Sequence, residues 1–146
     1  MRSAAVHRRR DKYLLNPYSR TTAGLWIVAP PFSALDGSSD EDQVGESVVR
    51  TMSHSQDNVP HPTDWSSLSR PLYELAGVKS WRKFLEGCEL CDVEEDDGTI
   101  EVSGWRNTGK EFEPIEDMVV SFRWDGSARQ VGKAILEMLR KIRVEA

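Results

Sequence analysis

Met118-Val-Val-Ser-Phe-Arg-Trp124, then Asp125-Gly126-Ser127, then Ala128-Arg-Gln130-Val131-Gly132-Lys-Ala-Ile135-Leu-Glu-Met138-Leu139-Arg-Lys-Ile142 is the stretch that decides the fold. Its first part is rich in β-branched and aromatic residues and reads as a strand; Asp125-Gly126 is a turn. Ser127 followed three residues later by Gln130 is a capping box, in which each side chain satisfies a backbone N–H that the first helical turn leaves free. Val131, Ile135, Met138, Leu139 and Ile142 then fall on one face at helical spacing. The unit is a strand followed by an amphipathic helix.

An earlier stretch repeats that plan. Gly24–Ala29 reads as a strand ended by Pro30-Pro31, and Ser38 with Glu41 as a capping box opening a helix whose apolar stripe is Val44, Val48, Val49 and Met52. The likeness reaches individual residues: Asp36-Gly37-Ser38 matches Asp125-Gly126-Ser127, and Gln43-Val44-Gly45 matches Gln130-Val131-Gly132, with two extra residues in the first copy. Two related strand-then-helix halves, and so an internal duplication, are the expectation.

Outside the halves, Lys12–Asn16 reads as a strand, and Ser53–Ser69 as a polar connecting loop pinned to the body by Trp65. Pro71–Ala76 is a short helix with proline in its first turn, ended by Gly77. Ser80 caps a second helix, containing Trp81, Phe84 and Leu85, that Gly87 closes. Glu89–Glu95 and Thr99–Trp105 form a hairpin through Asp97-Gly98, a dipeptide suited to the positive φ angles of a type I′ turn; a strand near Phe112 follows. The sum is an α/β protein of the α+β kind, with a mainly antiparallel sheet of about six strands and about three or four packed helices.

The chain has 146 residues, 19 of them Lys or Arg and 24 Asp or Glu, for a net charge of −5. That describes one globular domain, 1–146, long enough to bury roughly 68% of its unfolded surface without staples. No run reaches the ~20 apolar residues of a membrane helix, and Met1–Arg10 lacks the apolar core of a signal peptide, so a cytoplasmic address is expected, away from membranes. The charge is uneven. Residues 1–20 hold six basic side chains and one acidic, a local +5 that leaves −10 for the rest. Residues 1–11 are therefore expected to be a flexible basic arm on an acidic body, and acidic bodies repel nucleic acid while attracting cationic partners.

Little in the sequence carries a reaction. Cys88-Glu-Leu-Cys91 has redox spacing, but it follows a helix and enters a strand. The helix dipole would there raise a thiolate's pKa, and alternation places the two thiols on opposite faces. His7, His54 and His61 have no paired spacing, so no metal site and no cofactor is expected. Ser19-Arg20-Thr21-Thr22 could hold a phosphate but is explained by turn hydrogen bonds. No nucleophile elbow, phosphate loop or dinucleotide fingerprint occurs. A thiol enzyme using Cys88 and Cys91, and a nucleic-acid module using Arg8–Arg10, stand as alternatives to a binding protein.

The acidic clusters are the informative feature: Asp36, Asp40, Glu41 and Asp42; Asp92, Glu94, Glu95, Asp96 and Asp97; Glu111, Glu113, Glu116 and Asp117. The first is what a helix start attracts. The second puts five acids in six residues of a hairpin, where they repel one another unless something cationic compensates. Five tryptophans are expected mostly in the core, with Trp105 as a possible interface anchor.

Tyr13-Leu-Leu-Asn-Pro17-Tyr-Ser19-Arg20-Thr21-Thr22, Pro60-His61-Pro62 with Trp65, Gly77-Val-Lys-Ser-Trp81 with Phe84, and the capped C-terminal helix occur in an order that resembles the immunity proteins of bacterial contact-dependent growth inhibition (CDI) systems, the CdiI family. The resemblance implies a non-enzymatic cytoplasmic protein that binds the C-terminal toxin domain of a large exported effector 1:1 and blocks it, the toxin commonly being a nuclease. The acidic hairpin departs from the pattern. Glu94, Glu95, Asp96 and Asp97, with Trp105, Glu111 and Glu113 beside them if the next strand folds back, are the expected toxin-binding residues.

Overall fold

The computed structural model describes residues 1–145. Its strands are β1 (Arg2–Arg9), β2 (Lys12–Arg20), β3 (Trp26–Val28), β4 (Ser33–Asp36), β5 (Cys88–Asp96), β6 (Thr99–Asn107) and β7 (Phe112–Arg123). Its helices are α1 (Glu41–Met52), α2 (Arg70–Leu75), α3 (Trp81–Leu85) and α4 (Ala128–Glu145), with one 3-10 turn at Trp65–Ser67. The seven strands form one sheet in the order β3-β2-β1-β5-β6-β7, with β4 also pairing β2. Every strand pair is antiparallel.

Residues 2–9 correct the expectation of a flexible arm. They form β1, paired on both sides in the middle of the sheet. Ala4 and Val6 face one side, Ala5 and His7 the other, and all four are buried. The basic residues are accommodated individually: Arg2 pairs with Glu95, and Arg8 lies 5.5 Å over the Tyr13 ring. Buried Arg9 donates from Nε to the Phe84 carbonyl at 3.1 Å and from Nη2 to the Lys83 carbonyl at 3.2 Å. His7 packs edge-on to Phe84 with ring centroids 5.3 Å apart, and burial pushes its pKa down to about 4.

α1 and α4 lie together on one face of the sheet. Their stripes join Ala4, Val6, Tyr13, Leu15, Cys91, Val93, Ile100 and Val102 in the main core. α2 and α3 cover part of the opposite face with a second cluster of Leu14, Leu72, Phe84 and Cys88, against which Trp81 and Phe112 pack. The two cysteines thus lie on opposite faces, each buried and free.

The two Asp-Gly-Ser stretches form the same turn. Asp36 Oδ1 accepts from the Ser38 N–H at 2.8 Å, and Asp125 Oδ1 from the Ser127 N–H at 2.7 Å. Ser127 Oγ then accepts from the Gln130 N–H, as expected, while Gln130 Oε1 reaches back to the Asp125 N–H. In the first copy Ser38 does not cap, because Asp36 holds both its N–H and its hydroxyl. The two extra residues supply the cap instead: Asp40 accepts from the Gln43 N–H and the Gln43 side chain from the Asp40 N–H.

The Asp97-Gly98 hairpin forms with φ of 51° and 81°, and Ser80 caps α3 through the Lys83 N–H. The tryptophans do not fill the core as expected; none is fully buried, and Trp26 and Trp65 are 39% and 49% exposed. Trp65 stacks edge-on against His61, 5.2 Å between centroids. The Ser53–Ser69 loop is instead tied down at Val59, which bridges Thr21, and at Ser55, whose Oγ accepts from the Ser3 N–H at 2.9 Å and donates to the Tyr18 carbonyl at 2.7 Å. No helix among the described residues is long and apolar enough to cross a membrane.

Candidate functional site

Strand alternation sorts the acidic hairpin onto two faces. Glu95 points to the side that bears α1 and α4, where Arg2 neutralises it and holds its carboxyl below the usual range. Asp92, Glu94 and Asp96 point to the other side. In register with them on β6 stand Ser103, Glu101 and Thr99, so Glu94 and Glu101 are directly opposed like charges. Toward the β5–β6 turn this face is open: Asp96, Thr99 and Glu101 are exposed, and Met1 lines a shallow hollow with them and Glu94. Among the described residues none of these three acids has a salt bridge. Partial burial, then Glu101 and Asp96, raise the Glu94 pKa.

Deeper on the same face, β2, β1 and β5 present Asn16, Ala5 and Asp92 side by side. One pair along, β1 presents Ser3, and these two small residues let Tyr18 reach from β2 over β1 to β5. Its hydroxyl donates to Asp92 Oδ1 at 2.8 Å. Burial raises the Tyr18 pKa well above its usual value, with the Asp92 carboxylate adding to the shift. Burial likewise pushes Asp92 up to about 7, opposed by the Tyr18 hydrogen bond and reinforced by Glu94. Trp105, from β6, directs its buried indole N–H toward the same carboxylate and opposes the rise, though its Nε1 makes no hydrogen bond of good geometry. The amide oxygen of wholly buried Asn16 also has none.

The expected site residues therefore divide. Glu94, Asp96 and Trp105 share the open face. Glu95 is neutralised on the other face, and Asp97 occupies the turn, where Arg123 Nη1 donates to its carbonyl at 3.1 Å. Strand β7 does fold back, but it brings Glu111 and Glu113 to the far end. Glu113 pairs Arg106, seven positions along β6 from Thr99, or about 23 Å at ~3.3 Å per residue. Glu113 is also paired with Arg106 at 3.5 Å. Reading the sequence missed Asp92 as a half-buried carboxylate, and with it Tyr18, Asn16 and Glu101. Period-two alternation from Asp92 to Asp96 marked the face, but nothing local told that Tyr18 would cover it.

Burial pushes the Cys88 thiol up to about 12 and Cys91 well above its usual value. Among the described residues no group of His, Cys, Asp and Glu converges as a metal site.

Comparison with known protein families matches the model described as "CdiI: CDI immunity protein" over residues 2–141. The chain belongs to the CdiI family of CDI immunity proteins. No curated protein sequence matches it. Two solved structures share the CdiI fold seen here. One is a protein of unknown function from Neisseria meningitidis, with a TM-score of 0.78 and 16% identity, covering 96% of this chain and 94% of the other. The second is the CdiA-CT/CdiI toxin and immunity complex from Yersinia pseudotuberculosis, with a TM-score of 0.73 and 18% identity, covering 97% and 96%. At those identities the likeness is one of fold. As a CdiI protein the chain is an inhibitor and not an enzyme.

Proposed function

We propose that this CdiI protein binds the C-terminal toxin domain of a cognate CDI effector in the cytoplasm and neutralises it one-to-one, and that the toxin is a nuclease. The observation that carries the reading is the row of Glu94, Asp96 and Glu101 on an open sheet face, none of them in a salt bridge among the described residues. A nuclease cleft is basic because it must hold phosphates. An acidic face speeds encounter with such a cleft and, once seated, denies it to nucleic acid. Glu94, Asp96 and Glu101 form the centre of the toxin-binding face, with Trp105 at its inner end and Asp97 at its tip. Glu95, Glu111 and Glu113 lie outside it.

The test is co-purification with the toxin domain encoded immediately upstream, followed by RNA and DNA degradation assays. The expected result is a 1:1 complex without nuclease activity. A toxin that leaves both nucleic acids intact while still binding would remove the nuclease assignment and keep the immunity one.

A further inference from the structure

Asp92 is an unusual residue to find in the free protein. It is a half-buried carboxylate with a single protein hydrogen bond, from Tyr18, where an ionised carboxylate can accept about four. No side chain that faces it is positively charged, and the N-terminal residue, Met1, lies further out beside Glu94 and Asp96. β2 contributes Tyr18 and Asn16, β1 contributes Ser3 and Ala5, β6 contributes Ser103, Trp105 and, further out, Glu101, and β5 itself contributes Glu94. His7, next along β1 on that face, is buried and uncharged at neutral pH. Two further polar groups without partners lie on the same sheet face, the indole N–H of Trp105, directed at the carboxylate, and the amide oxygen of Asn16, one strand further across Ala5. Burying such groups unpaired costs stability, and departures of this kind belong at sites where a ligand completes them.

We propose that Asp92 is the acceptor for a cationic side chain of the toxin, an arginine or lysine, which enters from the open acidic face between Tyr18 and Trp105. This rests on the immunity reading and goes further by naming the anchor. Strand order places Tyr18 and Trp105 on opposite sides of Asp92, so a cation over the carboxylate is flanked by two aromatic side chains that shield it from water. Glu94 and Glu101 stand outside it and steer the approach. A half-buried charge that finds its counter-charge only in the complex behaves as a binding hot spot.

The chemistry sets a proton signature. With Asp92 titrating at about 7 in the free protein, a bound cation holds it ionised, so complex formation releases about half a proton at pH 7. Affinity then falls about tenfold from pH 8 to pH 6. The experiment is titration calorimetry of the upstream-encoded toxin domain in buffers of differing ionisation enthalpy, using the wild type, Asp92→Asn and Tyr18→Phe. Asp92→Asn is expected to abolish the proton release and weaken binding at pH 8 at least tenfold. Tyr18→Phe keeps the carboxylate but removes its donor, so the release persists with its midpoint moved to higher pH, which serves as the test should Asp92→Asn fold poorly. Wild-type binding with no proton release, or a release that Asp92→Asn leaves unchanged, overturns the proposal while the immunity reading stands. A wild-type chain that does not bind the toxin overturns both.

Discussion

Gly45 on α1 and Gly132 on α4 sit against each other so closely that the two helix backbones touch. A methyl group on Gly45 would overlap the Ala128 carbonyl, and one on Gly132 would overlap the Glu41 carbonyl and reach the Gly45 nitrogen. The contact is reciprocal, each glycine meeting the first turn of the other helix. It gives the repeated Gln-Val-Gly a physical role, because two helices can cross backbone to backbone only if both lack a side chain at the crossing. The obstacle is backbone and cannot rotate away, so Gly45→Ala or Gly132→Ala should destabilise by about 3 kcal/mol or more, at the upper end of overpacking effects. Urea unfolding of the two variants checks this, and a loss under about 1 kcal/mol would show that the helices separate freely.

Truncation separates a tail from a central strand. Removing residues 2–9 takes out β1, its pairing with β2 and β5, and the Arg9 guanidinium that caps the last carbonyls of α3. The truncated chain is expected to be insoluble or unfolded by circular dichroism. Arg9→Met alone, which keeps the stem but leaves the Phe84 and Lys83 carbonyls unpaired, should cost about 1–3 kcal/mol.

His7 and Asp92 pull the pH dependence of stability in opposite directions. The folded pKa of His7, about 4, lies below its ordinary 6.5, so the unfolded chain takes the proton first and stability is lost as pH falls from 6.5 toward 4. That amounts to about 3 kcal/mol. The folded pKa of Asp92, about 7, lies above its ordinary 3.8, so its contribution is present below 3.8 and lost as pH rises toward 7. The wild type should therefore show a nearly flat profile across this range. Asp92→Asn should expose the His7 limb as a rise in urea midpoint from pH 4 to 6.5, and should be more stable than the wild type at pH 8. A variant less stable at pH 8 would mean that the carboxylate supports the fold.

The thiol alternative has its own check. With burial pushing Cys88 up to about 12 and Cys91 well above its usual value, both enclosed, neither should be alkylated by iodoacetamide at pH 8 unless urea is present. Mass spectrometry showing one rapidly labelled thiol in the folded protein would reopen it.

What the sequence made legible is what neighbouring residues decide. Asp97-Gly98, Ser80, Gly77 and Gly87 act within one turn of the chain, and each ends or starts an element as read. The misreadings share a different cause. Arg2, Arg8 and Arg9 looked like a solvated arm because what accommodates them, Glu95, Tyr13 and the end of α3, comes from β2 or from residues far along the chain. They also masked the alternation of Ala4 and Val6 against Ala5 and His7. Ser38 was given a cap because its competitor, the Asx turn of Asp36, offers the same hydroxyl another partner. The acidic row could be read by counting in twos from Asp92. Its depth could not, since burial of Asp92 depends on a tyrosine 74 residues earlier in the chain.

The most direct measurement is the affinity of the upstream-encoded toxin domain for two double variants at low and physiological salt. Glu94→Gln/Glu101→Gln removes charge from the open face, and Glu111→Gln/Glu113→Gln removes the same charge about 20 Å away. The account predicts that the first pair slows association at least tenfold at low salt and flattens its salt dependence, while the second leaves both near wild type. Equal effects from the two pairs would contradict it, reducing the acidic face to a share of the net charge.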